Sequence, residues 1–523
     1  MPAPAPQKDA PVSITLRLPD EAATSALGRE LALFAAPGTW ILLSGGLGAG
    51  KSTLARAFIR ALAPHMGEFE VPSPTFTLVQ PYDFTRVPVA HADLYRLGDP
   101  FEAEELGLDE LARDHVLLVE WPDRLPRTPP DRLEIALDFD ETGGRAATFT
   151  GHGAWAQALR RFSAIRAFLD KHFADAPIER AFLQGDASAR RYEYVTAPGG
   201  ERAILMDMPA RPDGPPVYDG RSYDEIANLS HDIRAVEAIN SVLRERGYSA
   251  PRTLAHDFPA GLMLIEDLGE AVFGKLYRRG EMRRPLELAV DVLADMAGRE
   301  WPGEVSLPGG DVHVVRPYDG AAFGIEVRLL TEWLWPRLKG APAPHDAVEE
   351  YAAIWSGLFP LARAGRPVWV LRDYHSPNLL LLKERQGLAR LGIIDTQDTV
   401  MGPAAYDLAS LLQDARIEIP HDLQKEMLAR YCAARAAASP DFDAAAFRRA
   451  YVVMGAQRAC KVLGIFARLN DRDGKPAYLA HMPHVSGYLA ENLAHRDLKP
   501  LAEWFARHLP EALDRQRLRR EAS

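Results

Sequence analysis

The sequence has few cysteines and no long apolar run. Only two of its 523 residues are cysteine, Cys432 and Cys460, which excludes a disulfide framework and a cysteine-rich metal site. No apolar stretch approaches the roughly 18 residues that a membrane-spanning helix needs. The first residues, Met-Pro-Ala-Pro-Ala-Pro-Gln-Lys-Asp, lack the apolar core of a signal peptide. We therefore expect a cytoplasmic protein without a membrane segment, and a short disordered arm over residues 1–12.

Positive charge is scarce in the first 157 residues, which hold 13 lysines and arginines against 22 aspartates and glutamates. Residues 158–523 are nearly balanced, with 48 against 50. Because nucleic-acid binding depends on neutralising phosphates, we expect no direct nucleic-acid binding by the acidic first part. Any role of this part near RNA would require a protein partner.

The chain is too long for one ordinary core, so two or three domains are expected. Strand-like and helical segments alternate over residues 13–157, which predicts a domain with an α/β sheet. Residues 158–523 begin with strand-like runs and become mostly helical further on. We predict that they form a second domain, with a small β-rich N-lobe over about 175–270 and a larger helical C-lobe over about 271–515.

The segment Gly45-Gly-Leu-Gly-Ala-Gly-Lys-Ser52 is a complete G-x-x-x-x-G-K-[ST] motif. Its glycines, among them Gly45, Gly48 and Gly50, allow successive backbone N–H groups to converge on phosphate oxygens. Lys51 adds a positive charge at the phosphates, and Ser52 offers a hydroxyl to Mg²⁺. A short apolar strand precedes the loop and a helix follows it, as in a P-loop nucleotide site. We therefore predict that the first domain binds ATP and Mg²⁺.

Two further apolar strands of this region end in carboxylates, Asp93 and Glu120. A carboxylate at a strand end can hold a Mg²⁺-bound water or orient the water that attacks the γ-phosphate. The alternative is that either residue is simply a surface acid at the end of its strand.

Four segments of the first domain resemble the small bacterial ATPase subunit of the tRNA threonylcarbamoyladenosine synthesis machinery. They are the P-loop, Ser73-Pro-Thr-Phe-Thr77, Asp93-Leu-Tyr-Arg-Leu and Glu120-Trp-Pro, and the resemblance covers nearly all of residues 12–150. It implies that residues 73–77 are a switch beside the nucleotide, that Asp93 and Glu120 are needed for hydrolysis, and that Thr53 lies at the phosphates. It also implies that the protein partners are subunits of the tRNA threonylcarbamoyl-transferase complex.

A second phosphate-handling motif, Leu371-Arg-Asp-Tyr-His-Ser-Pro-Asn378, has the Asp-x4-Asn spacing of a kinase catalytic loop. Asp373 is the candidate base for a substrate hydroxyl, and Asn378 can hold Mg²⁺ from the same loop. Asp395, after the apolar run Leu391-Gly-Ile-Ile, is the second predicted Mg²⁺ ligand. The Asp-x4-Asn spacing alone is common by chance. The interpretation therefore depends on its context, an apolar strand before the motif and a second apolar strand after it that ends in Asp395.

The second domain resembles the aminoglycoside-phosphotransferase-like kinases over about residues 160–510. The hinge between the lobes, whose backbone would meet the adenine of ATP, is matched by Leu264-Ile-Glu266-Asp-Leu-Gly269. Asp407 matches the residue that supports the catalytic loop. The chain is also similar to a subgroup of these kinases, the cytoplasmic anomeric kinases of N-acetylmuramate and N-acetylglucosamine in cell-wall recycling. The segments that carry this likeness are Gly185-Asp186-Ala-Ser188-Ala-Arg190-Arg191-Tyr, Met206-Asp207-Met-Pro, Arg372-Asp-Tyr-His-Ser-Pro-Asn and Ile394-Asp-Thr-Gln-Asp398.

The strand Arg202-Ala-Ile-Leu-Met-Asp207 contains no lysine where such kinases carry a phosphate-clamping lysine. Arg190 or Arg191, in the preceding turn, could supply the positive charge instead. It is equally consistent with the sequence that both arginines are simply exposed to solvent. Two tryptophans of a later helix, Trp333 and Trp335, could stack on a sugar, although such aromatic side chains are more often part of a core.

The sequence thus predicts an α/β P-loop NTPase domain followed by a two-lobed α+β protein-kinase-like domain, both using ATP and Mg²⁺. The first would be an ATPase that supports threonylcarbamoyladenosine modification of tRNA. The second would make the 1-phosphate of N-acetylmuramate or N-acetylglucosamine. Two alternatives remain for the second domain: a kinase of another small alcohol or an aminoglycoside, and a nucleotide-binding pseudokinase that regulates the ATPase. The intact Asp373, Asn378 and Asp395 argue against the pseudokinase, while the absent lysine leaves it open.

Overall fold

The computed structural model describes residues 10–141, 143–174, 176–183 and 190–521. It divides the chain into two units between Asp207 and Met208. The first nine residues of the predicted disordered arm lie outside the described residues, as does the Gly185–Ser188 part of the kinase-like motif.

Strands and helices alternate along much of the first unit, as the apolar pattern predicts. Its strands are β1 (Val12–Leu18), β2 (Trp40–Gly45), β3 (Val79–Tyr82), β4 (Val89–Asp93), β5 (Val116–Glu120), β6 (Arg132–Phe139), β7 (Arg145–His152), β8 (Glu179–Leu183), β9 (Arg191–Thr196) and β10 (Arg202–Asp207). Its α-helices are α1 (Glu21–Ala32), α2 (Lys51–Ala61), α3 (Leu108–Leu111) and α4 (Ala154–Phe173).

Seven of these strands form one sheet in the order β1-β7-β6-β2-β5-β4-β3. The central strand β2 is parallel to β5 and β6, and β4 is parallel to β5. Successive side chains of β2 enter different cores, Ile41 and Leu43 on one face and Trp40 and Leu42 on the other. Both faces of the sheet are therefore buried, and the carboxyl ends of β2, β4 and β5 reach the same edge, where ligands bind in such sheets.

Helix α2 leaves this edge and packs closely against α1. Its Leu54 and Phe58 are fully buried in the sheet core. A Cβ atom at Gly28 of α1 would lie 2.5 Å from the backbone oxygen of Leu54, so only glycine permits this approach of the two helices.

Helix α4 continues the first core past the predicted domain boundary at residue 157. Its Trp155, Leu159 and Phe162 belong to the same hydrophobic cluster as the seven-stranded sheet. After α4 the chain forms β8, β9 and β10, in which β9 pairs antiparallel with both neighbours. The boundary at 157 thus falls within a helix, and the division into functional domains remains a prediction.

The second unit is mainly helical from Phe273 onward. Its strands are β11 (Pro216–Tyr218), β12 (Arg221–Ser222), β13 (Thr253–Asp257), β14 (Leu262–Glu266), β15 (Glu304–Ser306), β16 (Val312–Val314), β17 (Val368–Val370), β18 (Leu379–Leu381), β19 (Leu391–Ile393) and β20 (Val400–Gly402). Its α-helices are α5 (Tyr223–Ile226), α6 (Ile233–Glu245), α7 (Phe273–Arg278), α8 (Arg283–Met296), α9 (Gly320–Leu329), α10 (Trp335–Lys339), α11 (His345–Ala362), α12 (Ala405–Leu412), α13 (His421–Ala438), α14 (Ala444–Asp471), α15 (Met482–Leu493), α16 (Lys499–His508) and α17 (Arg515–Glu521).

Helix α14 is the central element of this unit and packs against α9, α11, α12 and α15. A Cβ atom at Gly464 would lie 2.4 Å from the backbone oxygen of Leu329, so α14 meets the end of α9 at a glycine. Despite the length of α14, the described part of the chain contains no helix apolar enough over its length to cross a membrane.

A methyl group at position 464 would force α14 away from the backbone of Leu329. We expect Gly464→Ala to lower the free energy of unfolding by about 1–3 kcal/mol, as overpacking does elsewhere. The matched control is Gly324→Ala in α9, where a Cβ atom would meet nothing within 4 Å. The control should raise stability by about 0.5–1 kcal/mol, because alanine favours a helix more than glycine does. Urea unfolding of the full chain measures both effects, and equal stability of the two variants would contradict the close packing.

Candidate functional site

The Gly-rich loop joins β2 to α2 through three glycines with left-handed backbones. Their φ angles are 134° at Gly45, 75° at Gly48 and 107° at Gly50, a region that other residues rarely adopt. The Lys51 ammonium donates hydrogen bonds to the backbone oxygens of Gly45 at 2.8 Å and Gly46 at 2.9 Å, so it lies inside the loop. The loop has the backbone that a phosphate cradle requires, with the cation already in it.

Glu120 links the loop to the neighbouring strands. Its carboxylate accepts a hydrogen bond from the Ser52 hydroxyl at 3.0 Å and lies 3.0 Å from His91 Nε2. Asp93 is its register partner on β4. The two predicted carboxylates therefore meet the P-loop at one edge of the sheet, as the parallel strand order requires. A hydroxyl and carboxylates are suitable ligands for Mg²⁺ and its waters.

Asp93 holds the predicted switch segment. Its carboxylate accepts hydrogen bonds from the hydroxyls of Ser73 at 3.1 Å and Thr75 at 2.8 Å, and from the backbone N–H of Tyr95 at 3.1 Å. A Mg²⁺-bound water that engaged Asp93 would compete with these two hydroxyls. The site can thus connect the presence of nucleotide to the position of residues 73–77.

The electrostatic environment of Lys51 combines burial with nearby acids. Burial lowers the pKa of its ammonium group, whereas the charges of Glu120 and Asp93 act in the opposite direction. Its Nζ also lies 4.1 Å from the centre of the Trp121 ring, a cation–π contact. These groups surround the ammonium within the loop.

Two more polar side chains border the P-loop. Thr53, predicted at the phosphates, has its hydroxyl 3.5 Å from a carboxylate oxygen of Glu21 on α1, and its role at a nucleotide remains a prediction. Arg145 on β7, which the sequence did not single out, lies 3.5 Å from the backbone oxygen of Gly48. Its buried Nε has no hydrogen-bond partner among the described residues, so a donor is available beside the loop. Only the pairing of β7 with the sheet brings this arginine to the P-loop.

In the second unit, Asp407 fixes the start of the catalytic loop. Its two carboxylate oxygens accept the backbone N–H groups of Leu371 at 2.7 Å and Arg372 at 2.9 Å. Burial raises the pKa of Asp407 to about 7, although these hydrogen bonds and the charge of Arg458 act to lower it. This geometry fits the supporting role that the resemblance implies for Asp407.

The three predicted residues of the kinase site converge. The Asn378 amide donates to the backbone oxygen of Asp373 at 3.1 Å and lies 3.5 Å from a carboxylate oxygen of Asp395. Oxygen atoms from Asn378 and Asp395 are of the kind that Mg²⁺ prefers. No group of three or more His, Cys, Asp or Glu side chains suited to a metal occurs among the described residues. A Mg²⁺ ion held by Asn378 and Asp395 would complete its coordination with water or with phosphate oxygens of ATP.

The surroundings of Asp373 favour its ionised form. Loss of solvation alone would raise the pKa of its carboxyl group, but His375, Lys461 and Arg372 outweigh that effect and hold the pKa below its usual range. His375 Nε2 lies 3.6 Å from the Asp373 carboxylate, which keeps 40% of its side-chain surface exposed. A carboxylate in this state can orient a substrate hydroxyl and receive its proton as the hydroxyl reacts.

A buried ionic cluster centred on Glu326 supports the same loop. Glu326 is 0% exposed and forms a salt bridge with Arg372, directly before Asp373. It also accepts hydrogen bonds from Lys461 at 2.6 Å, Tyr318 at 2.7 Å and Gln457 at 2.8 Å. The sequence did not reveal this cluster, because its members lie far apart in the chain, in or just before α9, in α14 and in the catalytic loop.

The predicted hinge and the candidate arginines have other partners. The Glu266 carboxylate accepts a hydrogen bond from Arg385 at 2.8 Å, and the Glu266 backbone N–H donates to Arg252. Arg191 donates to the backbone oxygen of Leu33 at 3.0 Å. Arg190 directly follows the undescribed residues 184–189. Nucleotide binding by Glu266, Arg190 and Arg191 remains a prediction.

Of the two tryptophans considered for sugar stacking, Trp335 belongs to a core. It is 5% exposed, and its ring lies 6.0 Å from that of Trp504. Trp333 is partly exposed. The structure therefore places one of the two out of reach of a sugar.

Comparison with known proteins relates the two parts of the chain to two families. Residues 18–147 match the model of the threonylcarbamoyl adenosine biosynthesis protein TsaE, and residues 179–450 match that of the phosphotransferase enzyme family. The N-acetylmuramate/N-acetylglucosamine kinase of Caulobacter vibrioides is 36% identical over 361 residues, which cover 67% of this chain and 97% of that kinase. The kinase of the same name from Pseudomonas aeruginosa is 32% identical, covering 63% of this chain and 88% of that protein. The TsaE protein of Bacillus subtilis is 39% identical over 132 residues, covering 25% of this chain and 80% of its own length.

The ionised state of Glu326 should stabilise the second unit in a pH-dependent way. Burial alone would raise its pKa, but Lys461 and Arg372 lower it to about 2, from 4.5. A lowered pKa means that the stabilisation is complete above about pH 4.5 and is lost as the pH falls toward 2. We expect Glu326→Gln to lower the free energy of unfolding at pH 7 by about 3–5 kcal/mol, because it leaves buried cations uncompensated.

Thermal unfolding of wild type and Glu326→Gln between pH 7 and pH 2.5 measures this difference. The gap in melting temperature should be widest above pH 4.5 and should narrow below it. Glu332→Gln, at a largely solvated acid that pairs with Arg328, is the control and should change stability by about 0.5 kcal/mol or less. A gap that stays constant with pH would show that Glu326 is not the titrating group.

Proposed function

We propose one cytoplasmic protein with two ATP-dependent activities, because the chain belongs to two families. Its first part belongs to the TsaE family. Its larger part belongs to the phosphotransferase enzyme family, together with the N-acetylmuramate/N-acetylglucosamine kinases. The first activity is that of an ATPase that supports threonylcarbamoyladenosine modification of tRNA. The second transfers the γ-phosphoryl group of ATP to the anomeric hydroxyl of N-acetylmuramate or N-acetylglucosamine, a reaction of peptidoglycan recycling.

The observation that carries the kinase proposal is the convergence of Asp373, Asn378 and Asp395. Asp373 orients the anomeric hydroxyl and accepts its proton, while the sugar oxygen bonds to the γ-phosphorus and ADP leaves. Asn378 and Asp395 are the residues that would hold Mg²⁺, which neutralises charge on the phosphates when bound. Arg372 and Asp407 keep the loop backbone fixed during this transfer.

In the first domain, the glycine backbone and Lys51 bind the phosphates of ATP, and Ser52 would hold Mg²⁺. The Ser52 hydroxyl donates a hydrogen bond to Glu120, so its oxygen lone pairs would be available to Mg²⁺, and Glu120 would orient the attacking water. The acidic charge of residues 1–157 supports protein partners, the subunits of the threonylcarbamoyl-transferase complex, rather than direct binding of tRNA.

Two alternatives concern the second domain. A pseudokinase would not need an ionised Asp373 beside Asn378 and Asp395, so the site favours catalysis. A kinase of aminoglycosides would gain from a strongly acidic domain, whereas residues 158–523 carry a net charge of only −2. An amino sugar or another small alcohol fits this charge better.

Phosphorus NMR of the full chain with Mg²⁺-ATP and N-acetylmuramate or N-acetylglucosamine tests the kinase. We expect a new sugar 1-phosphate resonance split into a doublet by the anomeric proton. Asp373→Asn should slow its formation about 10²–10⁴-fold, because the variant cannot accept the hydroxyl proton. Asp441→Asn, at an exposed acid, is the matched control and should react like wild type. A sugar phosphate formed equally fast by Asp373→Asn would refute the assigned base, and ADP formed without sugar phosphate would refute the amino-sugar kinase.

Glu120 should be needed for hydrolysis but not for nucleotide binding. In an Asp373→Asn background, which silences the kinase, Glu120→Gln should lower ATP hydrolysis with the transferase subunits about 10²-fold or more. Binding of a fluorescent ADP analogue should change little, since the glycines and Lys51 remain. Glu70→Gln, at an exposed acid of the same domain, should leave hydrolysis unchanged. Hydrolysis by Glu120→Gln at the wild-type rate would contradict this role.

A further inference from the structure

One end of helix α1 contacts the helix that carries the P-loop. The Glu21 carboxylate lies 3.5 Å from the Thr53 hydroxyl on α2. Gly28 allows the backbones of α1 and α2 to approach until no side chain fits between them. Since close-packed interiors resist compression, a shift of α2 when phosphate binds at its N-terminus must move α1 or strain this contact.

The other end of α1 binds arginines from elsewhere in the first unit. The backbone oxygen of Leu33, at the carboxyl end of the helix, accepts a hydrogen bond from Arg191 on β9 at 3.0 Å. The Arg191 guanidinium also lies 4.2 Å from the centre of the Phe34 ring. Cations at this end are favoured by the partial negative charge of the unpaired carbonyl groups. The first residue of β9 is thus held by the P-loop domain.

Ion pairs connect α1 to β8 and to α4. The Glu30 carboxylate of α1 lies 3.3 Å from Arg180 on β8 and accepts a hydrogen bond from Arg166 on α4 at 2.8 Å. Arg180 also pairs with Glu193 on β9 at 2.7 Å, and the side chains of Arg180 and Glu193 are at most 2% exposed. Glu30 is the partly exposed member that joins α1 to this buried pair of the two strands.

A third contact uses Arg86, which follows β3. It donates a hydrogen bond to the backbone oxygen of Ala32, the last residue of α1, at 3.0 Å. Its guanidinium lies 4.0 Å from the centre of the Phe182 ring on β8. Strands β8 and β9 fall within the residues that match the phosphotransferase family, yet their partners here belong to the P-loop domain.

We propose that helix α1 couples the P-loop to strands β8 and β9, which fall within the residues that match the phosphotransferase family. Nucleotide at the P-loop restrains α2 and α1, and through Glu30 and Leu33 it restrains β8 and β9. Linkage makes this coupling reciprocal, so a ligand that orders β8 and β9 would tighten nucleotide binding at the P-loop by the same factor. This inference rests on the proposed function of both domains.

Amide hydrogen exchange of the full chain tests the coupling without a sugar substrate. The Asp395→Asn background weakens Mg²⁺ binding at the kinase, so added Mg²⁺-ADP loads the P-loop. Exchange in residues 51–61 reports loading, and exchange in residues 179–183 and 191–196 reports the strands. We expect the amides of all three segments to exchange more slowly when ADP is bound. The exchange rate of the two strands should fall about fivefold or more, since about fivefold is the lower end of typical allosteric coupling.

Two variants interrupt the proposed connection and one leaves it intact. Glu30→Gln removes the charge that Arg180 faces, and Arg191→Lys removes the planar group that bonds Leu33. In both, ADP should still slow exchange in residues 51–61, which shows a folded and loaded domain, but should no longer slow the strands. Glu70→Gln, an exposed acid of the same unit, should behave like wild type.

Each other outcome overturns the proposal at a different point. If ADP slowed exchange in residues 51–61 but not in the strands of the Asp395→Asn protein, the coupling would be refuted. Nucleotide binding at the P-loop would still be supported. Protection of the strands that survives both Glu30→Gln and Arg191→Lys would refute the route through α1. Protection of no segment would refute nucleotide binding at the P-loop, and with it the coupling.

Discussion

The buried carboxylates of Asp407 and Glu326 determine the form of the kinase site. Asp407 accepts two successive backbone N–H groups, those of Leu371 and Arg372, and Glu326 pairs with the Arg372 side chain. Polar groups and ions buried without partners cost up to several kcal/mol, so these contacts favour one arrangement of the loop. That arrangement leaves the next residue, Asp373, with a partly exposed carboxylate. The position of the candidate base thus follows from buried groups of other residues.

The two predicted sites offer chemically different groups to phosphate. The Gly-rich loop presents a lysine, the start of a helix and glycines with positive φ angles. The loop that carries Asp373 and Asn378 presents carboxylate and amide oxygens, which suit Mg²⁺. The first site would supply positive charge from the protein, whereas the second would take it from a bound metal. Strand β10 contains no lysine that could add to it.

Helix α1 packs against the helix that follows the P-loop and also contacts arginines of β8 and β9. The predicted division at residue 157 lies inside α4, whose apolar side chains complete the first core. Strands β8 and β9 fall within the residues that match the phosphotransferase family, and their contacts include elements of the first core.

The sequence by itself predicted the α/β sheet, the P-loop, the strand-end acids and the Asp373, Asn378 and Asp395 set from apolar periodicity and short spacings. The kinase-like fold followed from the resemblance of its motifs to a known family. Periodicity and spacing can be read directly from the sequence because they involve residues close together in the chain. Only the tertiary structure decided that Arg145 borders the P-loop, that Lys461 and Gln457 complete the Glu326 cluster, and that α1 binds β8 and β9. Each of those contacts joins residues far apart in sequence, and no local pattern specifies a partner for a buried charge. The pairing is decided by which helices and strands pack together, because packing alone brings such charges within reach of one another.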